Sequence, residues 1–548
     1  MDQRRPPLGV RYRRVVREFR SADAPVRLLA MAVVAILLVD LASTGSVGST
    51  GGHSRLASSG SGAPGSLTAG GSTGDGGTGT GPGTTTGSGA SSTGGTSGGG
   101  TSPANATVGT PATSSPAAGG STGGASLPAS DRGVTSTTIK VVFPWPNLGT
   151  IGQLTGLDTS SEDPVMSIHT YVNDINDHGG ILGRKIDPLI VSFNPLDDSD
   201  MRSKCLSWTK DQKVFAVVDS IGWHDANQLC ITQEGHTPLI SGWTTVPLYT
   251  SEGSPNLWWT GPDNARVVEN LVAWAVGRGM LKPGTKLGVV AADRQGDTLA
   301  VNQYLLPALQ RAGLPAPADI ESMHFDSSDG ADSASQAPLI VTRLRSKGVT
   351  TVIPLLPFLN LSAFASEAQQ QNWQPTYLLS DYESTLTSAL GLADSGNKQL
   401  DNQVGPTSYV LGTHDDTRGY TPQGLDCYKT WMKANPGATP PPQHWLEATG
   451  TAMTWCQNIR LFAEAARAAG PVLTRAGFDA AMAAISSFPG TVVPDHDFAT
   501  GLHSGPHLYR TVQVHENGDG KCPTLASGKA QGSCWLVLPG GWQEMRNP

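Results

Sequence analysis

The sequence predicts an α/β protein with two doubly wound parallel-sheet lobes, set behind a transmembrane or signal helix and a disordered linker. Three observations predict it. Strand-like and helix-like segments alternate after Asp131. All 13 tryptophans lie after residue 130, so composition divides the 548 residues unevenly. One almost wholly apolar run, Val26 to Val39, stands near the N-terminus ahead of a Gly/Ser/Thr-rich stretch.

Residues 1–27 form a basic segment, read as cytoplasmic, and 28–42 a signal anchor or cleaved signal. The apolar run suits a signal-peptide core and is slightly short for a spanning helix, which needs roughly 17–25 residues. The eight arginines of residues 1–42 outnumber the acids by four, which keeps this end in the cytoplasm and exports the rest. The expected location is therefore the cell membrane, with an extracytoplasmic domain, or the exterior if the signal is cleaved. Residues 43–132 are read as linker: from 43 to 130 there is no Phe, Trp or Tyr, and the only Asp, Glu, Lys or Arg residues are Arg55 and Asp75. Such a stretch cannot bury enough apolar surface to offset chain entropy. As a flexible coil it reaches about 50 Å. Gly74 to Gly79 matches GxGxxG, but it follows no strand and opens no helix, so it reads as chance.

The total charge of −8 leaves −12 on residues 131–548. An acidic globular portion without a basic, aromatic-laced stripe argues against a nucleic-acid partner. Thr138–Phe143 reads as a buried strand, and Pro164–His178 as a helix with Val165, Ile168, Val172 and Ile175 on one face. Strands follow at 186–193, 214–218, 238–241, 286–291, 351–356 and 376–379. Helices are expected at 201–210, 225–234, 264–277, 298–312, 339–346, 361–371 and 447–468. Repeated β-α units imply parallel sheets covered by helices on both faces. Residues 133–548 would then hold a first lobe mainly at 133–262 and a second mainly at 280–410, the remainder being shared. Ligands in such folds sit beyond the C-terminal strand ends, here in the cleft between lobes.

Six cysteines, an even number, lie in the exported part. Fifteen pairings are possible. The chain suggests three local ones: Cys205–Cys230, Cys427–Cys456 and Cys522–Cys534. No CxxC occurs and no His stands at ligand spacing beside a Cys, so neither a metal nor a cofactor is expected. His496, within Asp495-His496-Asp497, reads as a surface loop residue.

Val134 to Lys140, the segment Ile175-Asn176-Asp177-His178-Gly179-Gly180-Ile181-Leu182-Gly183-Arg184-Lys185-Ile186, Lys213 to Val218 and Thr237 to Ser241 together resemble the type 1 periplasmic binding proteins, in the branched-chain amino acid (Leu/Ile/Val) group. The resemblance spans residues 134–548 and thins after about 400. It implies a two-lobed clamshell that captures a small solute for an ABC permease. By motif position it places ligand contacts at Trp243 and Thr245 beside Thr244, with Trp223 near Ser220 and His224 in the preceding loop. In the second lobe it places an aromatic contact at Phe358 and an amine-binding acid at Asp381. Gln295 stands where the family often has a Tyr, a departure from amino-acid recognition. Hydroxyls and N–H groups near helix starts suit an anion, and Asp381 suits an ammonium group. Thr244 and Thr245 could equally cap a turn, and Asp381 a helix.

The expected function is capture of a small molecule, with an amino acid among the candidates, for an ABC importer. A ligand-sensing receptor domain without transport is the alternative. Enzyme activity is not expected: the folded portion contains no nucleophile elbow, HExxH or Walker A, although Asp293, Asp381 and Glu383 would be the acids of a cleft hydrolase.

Overall fold

The computed structural model describes residues 127–147, 163–220, 222–223, 226–325, 331–394, 396–410, 421–438, 452–516, 519–522 and 532–546. The basic segment, the apolar run, the linker up to residue 126 and His224 lie outside them. Among the described residues no helix is long and apolar enough to cross a membrane.

The first sheet holds β1 (Thr138–Pro146), β2 (Lys185–Phe193), β3 (Ala216–Val218), β4 (Leu239–Ser241) and β5 (Leu257–Trp259) in the order β2-β1-β3-β4-β5. All its ladders are parallel. β3, β4 and β5 are buried at every residue, which is why they read as apolar runs rather than alternations. The second sheet repeats the scheme with β6 (Leu287–Ala292), β7 (Asp319–Met323), β8 (Thr351–Leu355) and β9 (Thr376–Tyr377), in the parallel order β7-β6-β8-β9. A bridge from Leu378 to Val404 continues it into β10 (Val404–Thr407), and antiparallel β13 (Leu508–Glu516) and β14 (Ser533–Val537) extend it. Short pieces complete the set: β11 (Phe488–Pro489) pairs with β12 (Asp495–His496), and β15 (Gln543–Glu544) with β13.

Helices alternate with the strands. In the first half these are α1 (Pro164–Asp177), α2 (Asp198–Leu206), α3 (Ala226–Leu229) and α4 (Pro247–Gly253). α5 (Asn264–Gly277), α6 (Gln295–Leu299), α7 (Leu306–Arg311), α8 (Ala331–Ser346), α9 (Phe358–Gln370) and α10 (Thr385–Asp394) follow. Three later helices, α11 (Pro422–Ala434), α12 (Ala452–Ala468) and α13 (Arg475–Ala483), return to the first lobe, where α12 packs on α1, β3 and β4. α5 instead packs on second-lobe segments, including α7 and β10. Within the described residues the chain therefore passes between lobes at 260–263, at 408–410 and at 505–508.

The motif that carried the resemblance is architectural. Asp163 caps α1 by accepting from the Val165 and Met166 N–H groups at 2.9 and 3.3 Å, with Pro164 preset at the first turn. Gly179 and Gly180 end it with φ of 92° and 67°, and a Cβ on Gly180 would meet the Arg184 carbonyl at 2.1 Å. Asn176 brackets Ile186, donating to its carbonyl at 2.9 Å and accepting its N–H at 2.7 Å. Arg184 is fully buried and donates to the carbonyls of Thr135, Pro128 and Pro471 at 2.8, 2.8 and 3.0 Å. It ties the stretch ahead of β1 to the α12–α13 loop.

The described chain is anchored from residue 128. Asp131 pairs with Arg475 at 3.1 Å, and Arg132 donates to the Gly235 carbonyl at 2.8 Å. The disulfides are Cys205–Cys230, Cys427–Cys456 and Cys522–Cys534, the local pairing expected. The second links α11 to α12; in a chain-entropy account a loop of this length stabilises by about 3–4 kcal/mol.

His496 corrects an expectation. It is fully buried, with its ring nitrogens 3.2 Å from the carbonyls of Phe488 and Thr260. Polar neighbours in sequence suggested a surface loop, but the strand pair β11–β12 turns the ring inward. Burial pushes its pKa down to about 4 against the hydrogen bonds.

Candidate functional site

The site grows from the C-terminal ends of the first-lobe strands. β3 delivers Ser220, β4 delivers Gly242, Trp243 and Thr244, and β5 delivers Thr260, Gly261 and Pro262. α12 adds Thr454 and Gln457 from the far end of the sequence. Opposite them stand Asp381, Glu383 and Ser384 after β9, and Tyr409 after β10. The cavity between them measures about 80 Å³ and is partly open to solvent.

Gln228 fixes three first-lobe strand ends at once. Its amide donates to the Trp223 and Trp243 carbonyls at 2.9 and 3.2 Å and accepts the Trp259 indole N–H at 2.9 Å. The loops after β3 and β4 touch so closely that a Cβ on Gly242 would sit 1.6 Å from the Ser220 carbonyl. Behind Ser220, Asp219 is fully buried and accepts from the Ser241 hydroxyl at 3.2 Å; burial drives its pKa well above the carboxylate range.

The second-lobe acids have partners within the protein. Asp381 accepts from the Thr407 hydroxyl, the Ser408 N–H and the Ser408 hydroxyl at 2.6, 2.6 and 2.7 Å. Burial raises its pKa, and those bonds and Arg510 oppose the rise. Arg510 donates to the Tyr409 and Val410 carbonyls, so Asp381 and Arg510 bracket the 408–410 passage. Glu383 pairs with Arg294 at 2.8 Å, and Arg294 also pairs with Asp297 at 2.7 Å. Asp297 further accepts the Tyr382 hydroxyl at 2.6 Å. Glu383 and Ser384 adopt φ of 47° and 56°, a strained left-handed pair at the cavity wall. The Arg294 guanidinium lies 6.0 Å from the Trp243 ring, joining the lobes beside the cleft.

Of the ligand contacts named from sequence, Trp243, Thr244 and Asp381 line this cavity, as do Ser220 and Glu383, named there in other roles. Asp381 reaches it with its carboxylate already held by Thr407 and Ser408. The other four lie elsewhere. Trp223 is fully buried in the first lobe, edge-on to Phe193 at 5.0 Å and tilted against Trp208 at 4.9 Å. Its indole donates to the Asn227 carbonyl at 2.9 Å, so burial has made it a core residue. Thr245 is buried and its carbonyl accepts the Asn264 N–H at 2.9 Å. Gln295 opens α6 exposed to solvent, and Phe358 opens α9 half-buried against the second-lobe core. Sequence reasoning passed over Thr260 to Pro262, Ser384, Tyr409, Thr454 and Gln457. Strand-end position signals the first three, and no local pattern signals the rest.

A second hollow of about 410 Å³ opens between α1 and α12 and is bordered by Arg460, Arg467, His178 and Gln457, which also lines the cleft. Its Arg460 is paired with Asp426 at 2.8 Å and lies 3.9 Å from Asp174. Among the described residues no group of three or more His, Cys, Asp or Glu could hold a metal ion.

Two parallel-sheet lobes, joined by several passes and facing each other across a cavity, define a two-lobed α/β binding fold. The periplasmic binding protein family model matches residues 147–519, more than half of the chain, and the chain belongs to that family. Solved structures agree on the fold. A fatty acid ABC transporter substrate-binding protein from Thermomonospora curvata is similar at TM-score 0.54 and 17% identity, over 75% of this chain and 94% of that one. A type 1 periplasmic binding protein from Bordetella pertussis Tohama I is similar at 0.53 and 14%, over 73% and 100%. A solute-binding protein of an ABC transporter from R. palustris, in complex with 4-hydroxybenzoate, is similar at 0.52 and 14%, over 72% and 96%. Among curated proteins no match was found.

Proposed function

We propose that this protein captures a small solute between its lobes and presents it to an ABC permease. The observation that carries the reading is the cavity itself: both lobes line it, at the strand ends where such folds place ligands. Family membership and the substrate-binding role printed for the similar structures support it. The connections between the lobes suit a hinge that closes on the solute. The apolar segment 28–42 would hold the protein at the outer face of the membrane, with the low-complexity stretch as a spacer of about 50 Å. A solute that binds the folded state raises the melting temperature by linkage. Small-angle scattering should also show a smaller radius with that solute present. Stabilisation without any change in radius would remove the closing-clamshell part of the reading.

A further inference from the structure

We infer that the captured solute carries no carboxylate and bears a neutral hydrogen-bond acceptor, and that Gln457 and Ser220 hold it. This rests on reading the cleft as a solute site. Charge comes first. The carboxylates of the second-lobe wall are Asp381, held by Thr407 and Ser408, and Glu383, paired with Arg294. Arg294 answers two carboxylates, since Asp297 also pairs with it. A carboxylate would meet two acids that share one guanidinium, which repels it. An amino-acid zwitterion brings the same carboxylate.

The groups left over in the cavity wall are neutral. Gln457 and Ser220 are each 1% exposed, and both line it. The orientation of the Gln457 amide is fixed, because its Oε1 accepts the Thr491 and Val492 N–H groups at 2.8 and 3.3 Å. Its Nε2 is therefore a donor, and among the described residues it has no partner. The Ser220 Oγ likewise has none. Buried donors are rarely left unpaired. Two of them, from α12 and from the end of β3, bordering one cavity point to an acceptor on the solute.

The test offers the full chain one skeleton in three charge states: alanine, propionate and propanamide. A second set is leucine, 4-methylpentanoate and 4-methylpentanamide. Thermal shift and calorimetry should show an amide binding at least tenfold more tightly than its charged relatives. A carboxylate-bearing member that outbinds its amide overturns the carboxylate-free class and leaves solute capture standing. Silence from all six overturns both the class and the solute-capture reading beneath it. Gln457→Glu keeps the acceptor for Thr491 and Val492 but removes the donor. It should weaken the amide by tenfold or more while leaving the melting temperature of the free protein within a few degrees. Ser220→Ala should do the same. Wild-type affinity in both variants would overturn the assignment of these donors.

Discussion

Replacing Arg184 by alanine tests whether the motif carrying the family resemblance serves architecture or binding. Its guanidinium, fully buried, donates three hydrogen bonds to backbone carbonyls, two in the stretch ahead of β1 and one in the α12–α13 loop. Bonds from a charged donor contribute about 1.5–3 kcal/mol each, which sets a ceiling of roughly 5–9 kcal/mol. Against that stands the cost of burying a cation whose Nη1 has no partner among the described residues, several kcal/mol in such sites. The net expected loss is about 3 kcal/mol. For a folded portion of about 400 residues the unfolding entropy is roughly 0.8 kcal/mol/K, so the melting temperature should fall by about 4 °C. Arg184→Lys, which can reach one carbonyl at a time, should recover about a third of the loss. Calorimetry reads both variants, and solute affinity should not change in either. A melting temperature within 1 °C of wild type would refute the reasoning. Lost binding at unchanged stability would refute it more sharply, since the motif would then act on the ligand.

Asp381→Ala should weaken solute capture about tenfold whether or not the solute carries an amine, because it frees Thr407 and Ser408 at the 408–410 passage. A loss confined to amines, read by calorimetry, would make Asp381 a ligand group instead. His496, with its pKa pushed down to about 4 from an unfolded value near 6.5, stays neutral in the fold while the unfolded chain takes a proton. Stability from this group is thus full above pH 6.5 and is lost as pH falls through about 4, amounting to about 2–3 kcal/mol between pH 7 and 4.5. His496→Asn should remove that part of the acid limb in urea titrations, while Asp263 and Asp479, raised by burial to about 6 and 7, act with the opposite sign in both proteins. Replacing Cys427 and Cys456 together by serine should cost about 3–4 kcal/mol. An unchanged denaturation midpoint would show that α11 and α12 stay docked without the covalent link.

The parallel lobes were legible because buried strands appear as short apolar runs between helices with one apolar face. β3 and β4 were found this way. β5, Leu257-Trp258-Trp259, was not, since its apolar run stands between Pro255-Asn256 and Gly261-Pro262, turn-forming pairs that mark the stretch as a loop. The β4 loop was legible as part of the site because strand-end position places it there, and Gly242 fits only a close backbone approach. Trp223 misled: a large aromatic beside Ser220 in sequence turns into the lobe while Ser220 borders the cleft. Gln457 could not be read at all. It lies on a helix more than 200 residues from the strands it faces, and only tertiary packing brings it to them. The left-handed pair Glu383–Ser384 gave no signal either, because glycine or asparagine normally marks such a backbone.

The passages between lobes also govern how this protein can be made and cut. The first lobe begins at β1 but lacks α11, α12 and α13 until the chain has passed through most of the second lobe. A ribosome or translocon therefore releases β6 to β10 while the first sheet still lacks the helix that covers β3 and β4. Neither half can be taken as one continuous fragment: a cut near residue 280 would leave the first lobe with an uncovered core and the cleft without its α12 wall. Division of labour in this molecule follows space rather than sequence, and any attempt to graft the cleft elsewhere must carry nearly the whole folded chain with it.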